Sequence, residues 1–179
     1  MNNRLFLLLF VFCAGIACAQ HDSLKVEIND STVFWHKIKI VKKDTSYGEV
    51  KAVYLSDTTR TAFVKHYYNG FQSGVYKSFY PNGKVMEKTV YQKGKKNGEF
   101  SLYSFDGTLL VKGEYENDIK NGFWIHRKLK IMGKYKNGLK HGKWKWYYTE
   151  DKYYKYYFEE GKLVKAAQPP PHFLLTDFP

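Results

Sequence analysis

Apolar and polar residues alternate in short runs along most of this chain, and turn residues separate the runs. Residues 75–80 alternate, Pro-Asn-Gly follows at 81–83, and a second alternating run covers 84–90. Alternation with a period of two is typical of a half-buried β-strand. A tight Asn-Gly turn between two such runs indicates a β-hairpin. The pattern therefore predicts paired strands rather than helices.

One pattern recurs four times between residues 67 and 165. Each copy has a glycine four residues after its turn and an aromatic residue two places after that glycine. The glycines are Gly74, Gly98, Gly122 and Gly142, and the aromatic residues are Tyr76, Phe100, Trp124 and Trp144. Equivalent glycines are 24, 24 and 20 residues apart, because the third copy lacks the tight turn after residues 123–127. A fixed period of this size indicates a repeat architecture.

The predicted fold is all-β: a single-layer antiparallel meander of repeated β-hairpins, elongated and twisted. Asn-Gly pairs at 69–70, 97–98, 121–122 and 137–138 are predicted to connect strands, because both residue types tolerate positive φ. The aromatic residues of the four copies are predicted to form a ladder on one face and to serve as the core, since a one-layer sheet has little else to bury.

The N-terminus has the features of a secretory signal peptide. A short positive start containing Arg4 precedes an apolar core at 5–16 and a small-x-small cleavage site at 17–19. Residues 20–32 are polar and are predicted to be a poorly ordered lead-in, and prolines at 169–171 cannot continue a sheet ladder. The predicted segments are a signal peptide (1–19), an N-terminal lead-in with degenerate cap strands (20–66), about four β-hairpin repeats (67–165) and a Pro-rich C-terminal tail (166–179).

We therefore expect an exported protein, located in the periplasm, on the outer surface or in the medium. Cys18 offers an alternative route, because it lies where a lipoprotein signal could place its acylated cysteine. Cleavage after Ala19 would remove both cysteines of the chain, Cys13 and Cys18. Such a mature protein has no disulfide, and packing and hydrogen bonds must stabilise it.

The motif residues of the repeats resemble MORN repeats, in particular the bacterial variant associated with the antitoxin component of toxin–antitoxin systems. Residues 135–148 carry the resemblance, as do 91–103 and 74–83. The resemblance implies a series of hairpins in an elongated, twisted sheet with exposed faces, and roles in membrane lipid contact or protein scaffolding. An antitoxin would meet its toxin in the cytosol, whereas this chain carries an export signal.

The chain is strongly basic, with a formal net charge of +12 and an aromatic share of 18%. This balance favours contact with anions, although lysines also keep an aromatic-rich sheet soluble. We find no motif of a hydrolase, a zinc protease or a phosphate-binding loop, and the six histidines lack metal-ligand spacing. The sequence therefore predicts a non-enzymatic protein with no catalytic, cofactor-binding or metal-binding residues.

The fourth copy has more aromatic residues than one two-stranded hairpin can bury, and lysines lie among them. The candidate partner-binding surface consists of Trp144, Trp146, Tyr148, Tyr153, Tyr156, Lys145 and Lys155. Such a surface suits a protein partner, a glycan or a membrane interface. We expect a protein-binding or scaffolding module at the cell envelope, with an unknown protein as partner. The alternatives are a peripheral binder of anionic lipid and an enzyme without a recognisable motif; nucleic acid is not expected, and the oligomeric state is open.

Overall fold

The computed structural model of the chain describes residues 22–29 and 32–167. The predicted signal peptide and nearly all of the predicted Pro-rich tail lie outside the described residues. Every regular element within those ranges is a β-strand, and none is a helix that could cross a membrane. The strands are β1 (Asp22–Asn29), β2 (Thr32–Lys43), β3 (Glu49–Tyr54), β4 (Thr61–Tyr68), β5 (Phe71–Gln72), β6 (Gly74–Phe79), β7 (Val85–Gln92), β8 (Lys95–Tyr103), β9 (Leu109–Glu116), β10 (Ile119–His126), β11 (Ile131–Lys136), β12 (Leu139–Tyr147), β13 (Tyr153–Glu159) and β14 (Lys162–Ala167).

The strands form one antiparallel sheet in which neighbours in sequence are neighbours in space. The order is β1-β2-β3-β4-β6-β7-β8-β9-β10-β11-β12-β13-β14, and the two-residue strand β5 pairs with β4 beside this path. Every pairing is antiparallel. The predicted all-β antiparallel meander of hairpins is confirmed.

Strand β1 differs from the sequence-based expectation. Polar composition predicts a poorly ordered lead-in over 20–32, but residues 22–29 pair with β2, with Leu24 opposite His36 and Val26 opposite Phe34. This detail of the prediction is wrong. A strand as long as β2 offers a row of free backbone donors and acceptors, and a polar segment can satisfy its own backbone groups there.

Five two-residue turns join the return strand of one hairpin to the next hairpin. Both central residues have positive φ, as type I′ turns require. The turns are Asn69-Gly70, Lys93-Gly94, Asn117-Asp118, Asn137-Gly138 and Glu160-Gly161. Each turn also bonds to the strand that follows the preceding turn, because the N–H of Gly94 donates to the carbonyl of Gln72 in β5 at 2.8 Å and that of Gly138 to Lys120 in β10 at 2.9 Å. These bonds fix the register of each hairpin against the one before it.

Two of the predicted turns are bulges inside strands. Asn97-Gly98 lies within β8 and Asn121-Gly122 within β10, and the glycines have φ values of 121° and 67°. The pairing register shifts beside both sites. The prediction that these pairs connect strands is wrong, because a glycine with positive φ also accommodates the extra residue of a β-bulge.

Aromatic rings from successive hairpins contact one another on one side of the sheet, here called the ring face. Ring centroids are 5.5 Å apart for Phe100 and Tyr115, 5.1 Å for Tyr115 and Trp124, and 5.1 Å for Tyr135 and Trp144. These pairs meet nearly edge to face, an arrangement that contributes about 0.5–1.5 kcal/mol per pair. Trp124 and Trp144 are only 1% and 0% exposed. The predicted ladder is present and its tryptophans are core residues.

The two tryptophans lie directly on the backbone of glycines in the preceding strand. A Cβ atom at Gly113 would lie 2.1 Å from Cδ2 of Trp124, and one at Gly133 would lie 2.3 Å from Cδ2 of Trp144. The indole N–H of Trp144 donates to the carbonyl of Lys134 at 3.1 Å, and Trp124 bonds the backbone in the same way. Glycine is required here because the ring occupies the space of a side chain.

The N-terminal strands bury a separate core. It contains Ile38, Val50, Ala52, Tyr54, Ala62 and Phe63, and Tyr76 of the first repeat packs against it. The hydroxyl of Tyr54 donates to the carbonyl of Phe79, which joins β3 to β6. The strands predicted as degenerate cap strands therefore share a core with the first repeat.

Replacing Gly113 by alanine is expected to destabilise the protein by about 1–3 kcal/mol, because the new methyl group overlaps the Trp124 ring. Urea denaturation of purified protein measures this loss. Thr89 and Phe100 stand opposite each other one repeat earlier. Thr89 is equivalent to Gly113, and Phe100 is equivalent to Trp124. The double variant Gly113→Thr with Trp124→Phe should therefore lose less stability than the sum of its single variants. An unchanged Gly113→Ala variant, or a strictly additive pair, would contradict the packing argument.

Candidate partner-binding surface

The residues of the predicted surface do not lie on one face. Trp144 on β12 stands opposite Tyr156 on β13, and both are on the ring face with 0% exposure. They form a core cluster with Ile131 and Phe158. The prediction that Trp144 and Tyr156 contact a partner is wrong. Strands β11 and β13 flank β12, and their side chains enclose these rings.

Trp146 and Tyr148 lie at the rim of this cluster. Trp146 is half-buried and packs against the core cluster, whereas Tyr148 is 50% exposed. The Tyr148 ring lies 4.7 Å from that of Tyr154, with an interplanar angle of 31°. Of the ring-face residues in the predicted surface, Tyr148 is therefore the one with a large accessible area.

The remaining three predicted residues lie on the opposite side of the sheet. Lys145 stands opposite Lys155, and its Nζ atom is 4.3 Å from the ring centroid of Tyr153. Lys145 also donates a hydrogen bond to the hydroxyl of Tyr147 at 3.4 Å, which raises the pKa of the lysine. The cations and rings of this group hold one another in place.

Lysines recur along one row across this side, here called the lysine face. The row takes one residue from each of the eight strands from β6 to β13. Its members are Lys77, Lys88, Ser101, Lys112, Ile125, Met132, Lys145 and Lys155. Lys88 pairs with Glu99 at 3.7 Å, and Glu99 stands opposite Glu114. These carboxylates lie on β8 and β9, so they do not neutralise the lysines of β12 and β13.

A second row of lysines covers the rings of the ring face. The Nζ atom of Lys120 is 4.7 Å from the Trp124 centroid and 5.0 Å from that of Tyr135. Lys96 and Lys140 cover the ring pairs of their own repeats in the same way. Burial lowers the pKa of Lys120, and burial with the charge of Lys120 lowers the pKa of Lys140 to about 8. These lysines shield the core.

Sequence reasoning missed the two residues that contact each ladder tryptophan, the lysine that covers the ring and the glycine beneath it, although the sequence contains a regularity for each. A lysine precedes the second glycine by two residues in three copies, at Lys96, Lys120 and Lys140. A glycine precedes each ladder tryptophan by 11 residues, at Gly113 and Gly133.

His126 is a neutral part of the ring face. Its ring stacks on Trp124 at 5.8 Å with an interplanar angle of 20°. Burial lowers the pKa of His126 to about 4, and the charges of Lys120 and Lys140 act in the same direction. In the part of the chain that the structure describes, no three His, Cys, Asp or Glu side chains are grouped so that they could hold a metal ion.

No known protein family matches the chain, and no curated protein matches it either. The resemblance to MORN repeats therefore rests on the motif residues of the chain itself.

Stability is expected to fall as the pH drops from about 6.5 to about 4, with His126 as one cause. The unfolded chain binds a proton on this imidazole in that window and the folded chain does not, so acid favours unfolding. Urea denaturation across this pH range should show a smaller fall for His126→Phe, which keeps the stacking on Trp124. His66→Gln, at an exposed position, serves as the control. An NMR titration in which the His126 ring signal moves near pH 6.5 would contradict the assignment.

Proposed function

We propose that this chain is an exported, non-enzymatic repeat protein of the MORN type that binds a protein partner at the cell envelope. The repeated motif, the I′ turns and the aromatic ladder support the MORN assignment. The residues at 1–19 support export. Binding is supported by one observation above all: the lysine face near β12–β14 carries exposed cations beside tyrosines.

The lysine face is the surface that the fold leaves for a partner. The ring face uses its tryptophans as core and covers them with lysines. On the lysine face, by contrast, Lys143, Lys155 and Lys165 are exposed, and no described carboxylate lies within 4.0 Å of them. Charges that are not neutralised within the protein attract an acidic partner and accelerate its association.

Reversing the charge near the candidate surface is expected to abolish partner binding. The protein with Lys145→Glu and Lys155→Glu is compared with wild type in capture from an envelope extract at physiological ionic strength. Mass spectrometry identifies the captured proteins, and the affinity of each variant for the purified partner is then measured. The matched control, Lys77→Glu with Lys112→Glu, changes the same charge on the same face. Equal retention in both variants, or equal loss, would contradict the proposal.

Anionic lipid is the second candidate ligand, because the same lysines would attract it and Tyr148, on the ring face, offers an exposed aromatic side chain. Co-sedimentation with vesicles of phosphatidylglycerol and phosphatidylcholine separates the two functions. We expect any pelleting at low salt to disappear at high ionic strength, because surface charge attraction is screened over about 10 Å at 0.1 M salt. Pelleting that persists in high salt and depends on Tyr148 would indicate a membrane binder instead.

A further inference from the structure

We infer that the lysine face contains a subsite centred on Tyr157 for an acidic segment of the partner, in which an apolar side chain lies between two carboxylates. This inference rests on the proposed function and identifies the chemistry of its ligand. Tyr157 is not among the residues that the sequence singles out. The register of the last three strands and the exposed lysines on either side of this ring are what assign it.

The subsite is a row across β12, β13 and β14. Lys143 stands directly opposite Tyr157, and Tyr157 stands directly opposite Lys165. Neighbouring strands are about 4.8 Å apart, so the two lysine Cα atoms are about 10 Å apart with the tyrosine midway. Lys155 lies two residues along β13 and therefore on the same face. One tyrosine thus has a lysine opposite it on each neighbouring strand.

The Tyr157 ring is half-buried like Tyr147 and Tyr153, but it differs from them in its contacts. Lys145 lies over both Tyr147 and Tyr153, and those two rings contact each other at 5.1 Å. Tyr157 is half-buried, and no described ring or lysine nitrogen lies against its ring. The exposed part of the ring can therefore contact an apolar group from outside without displacing a described ring or cation.

The charges around the ring determine what that group must carry. Lys143, Lys155 and Lys165 have no described carboxylate within 4.0 Å, and Glu159 is the nearest acidic residue along β13 on this face, opposite Lys162. The positive charge exceeds the negative charge, so the subsite attracts anions on both sides of an apolar contact. A ligand with a single charge would leave one of the flanking lysines unused.

An extended peptide meets these conditions when its acidic residues are two positions before and after an aromatic residue. Side chains at i−2, i and i+2 of an extended chain point to the same side, and the outer two are about 13 Å apart. That span fits two lysines whose Cα atoms are about 10 Å apart and whose side chains reach outward. The predicted ligand is therefore an extended Glu-x-Phe-x-Glu segment or its equivalent.

The test is fluorescence anisotropy of the exported protein with a labelled peptide containing Glu-Ser-Phe-Ser-Glu. Lys143→Gln with Lys165→Gln is expected to weaken binding about tenfold, since two surface charge pairs are lost. Tyr157→Ser should also weaken it, and Tyr157→Phe should not. Lys77→Gln with Lys112→Gln, the matched control, should leave affinity within about twofold. A peptide of identical composition, Ser-Glu-Phe-Glu-Ser, turns its carboxylates to the other side and should bind more weakly.

The outcomes separate this inference from the proposed function. Equal losses in the two lysine pairs, or equal binding of the two peptides, would overturn the subsite and leave only general charge attraction. Tighter binding of anionic vesicles or a polyuronate glycan than of the peptide would reassign the subsite to lipid or glycan.

If Lys143→Gln with Lys165→Gln keeps the envelope partner that Lys145→Glu with Lys155→Glu loses, the subsite fails and the proposed function stands. If the latter variant also keeps the partner, the proposed function fails.

Discussion

Contact between a tryptophan ring and a glycine backbone is the constraint on which the third and fourth repeats of the sheet depend. A single layer of strands has no second layer to cover its apolar side, so the side chains must cover the sheet themselves. Trp124 and Trp144 do this by lying flat over Gly113 and Gly133. Each indole thereby removes a stretch of backbone from water and places its own N–H against a carbonyl of that strand. Tyrosines and lysines then close the remaining gaps.

The two faces of the sheet therefore differ in what their side chains do. The ring face uses its aromatic residues internally, and its lysines lie over rings with their charge partly desolvated, which is why the pKa of Lys140 falls to about 8. Among the described residues the lysine face has no equivalent ladder, so most of its lysines remain exposed and its tyrosines only partly shield one another. The lysine face can stay charged and exposed because the opposite face has already satisfied the need for a core.

The sequence was sufficient for the fold but only partly for the candidate surface. Period-two alternation and the turn at Asn137-Gly138 predicted hairpins correctly, since both depend on local backbone geometry. Asn97-Gly98 was misread as a turn because positive φ serves bulges equally well, and only strand pairing distinguishes the two. Trp144 was misread as exposed because its burial depends on Gly133 and on β13, which composition alone does not place.

The bonds from each turn to an earlier strand have a consequence for how the chain folds. The N–H of Gly94 donates to Gln72 and the N–H of Gly161 donates to Lys140, so each turn bonds to a strand that precedes it in sequence. Each tryptophan likewise lies on a glycine that precedes it. A chain that emerges N-terminus first therefore always has a completed template for its next hairpin, and no segment waits for a distant one. Contacts this local are associated with fast folding, and vectorial emergence from a ribosome or an export channel would suit this sheet well.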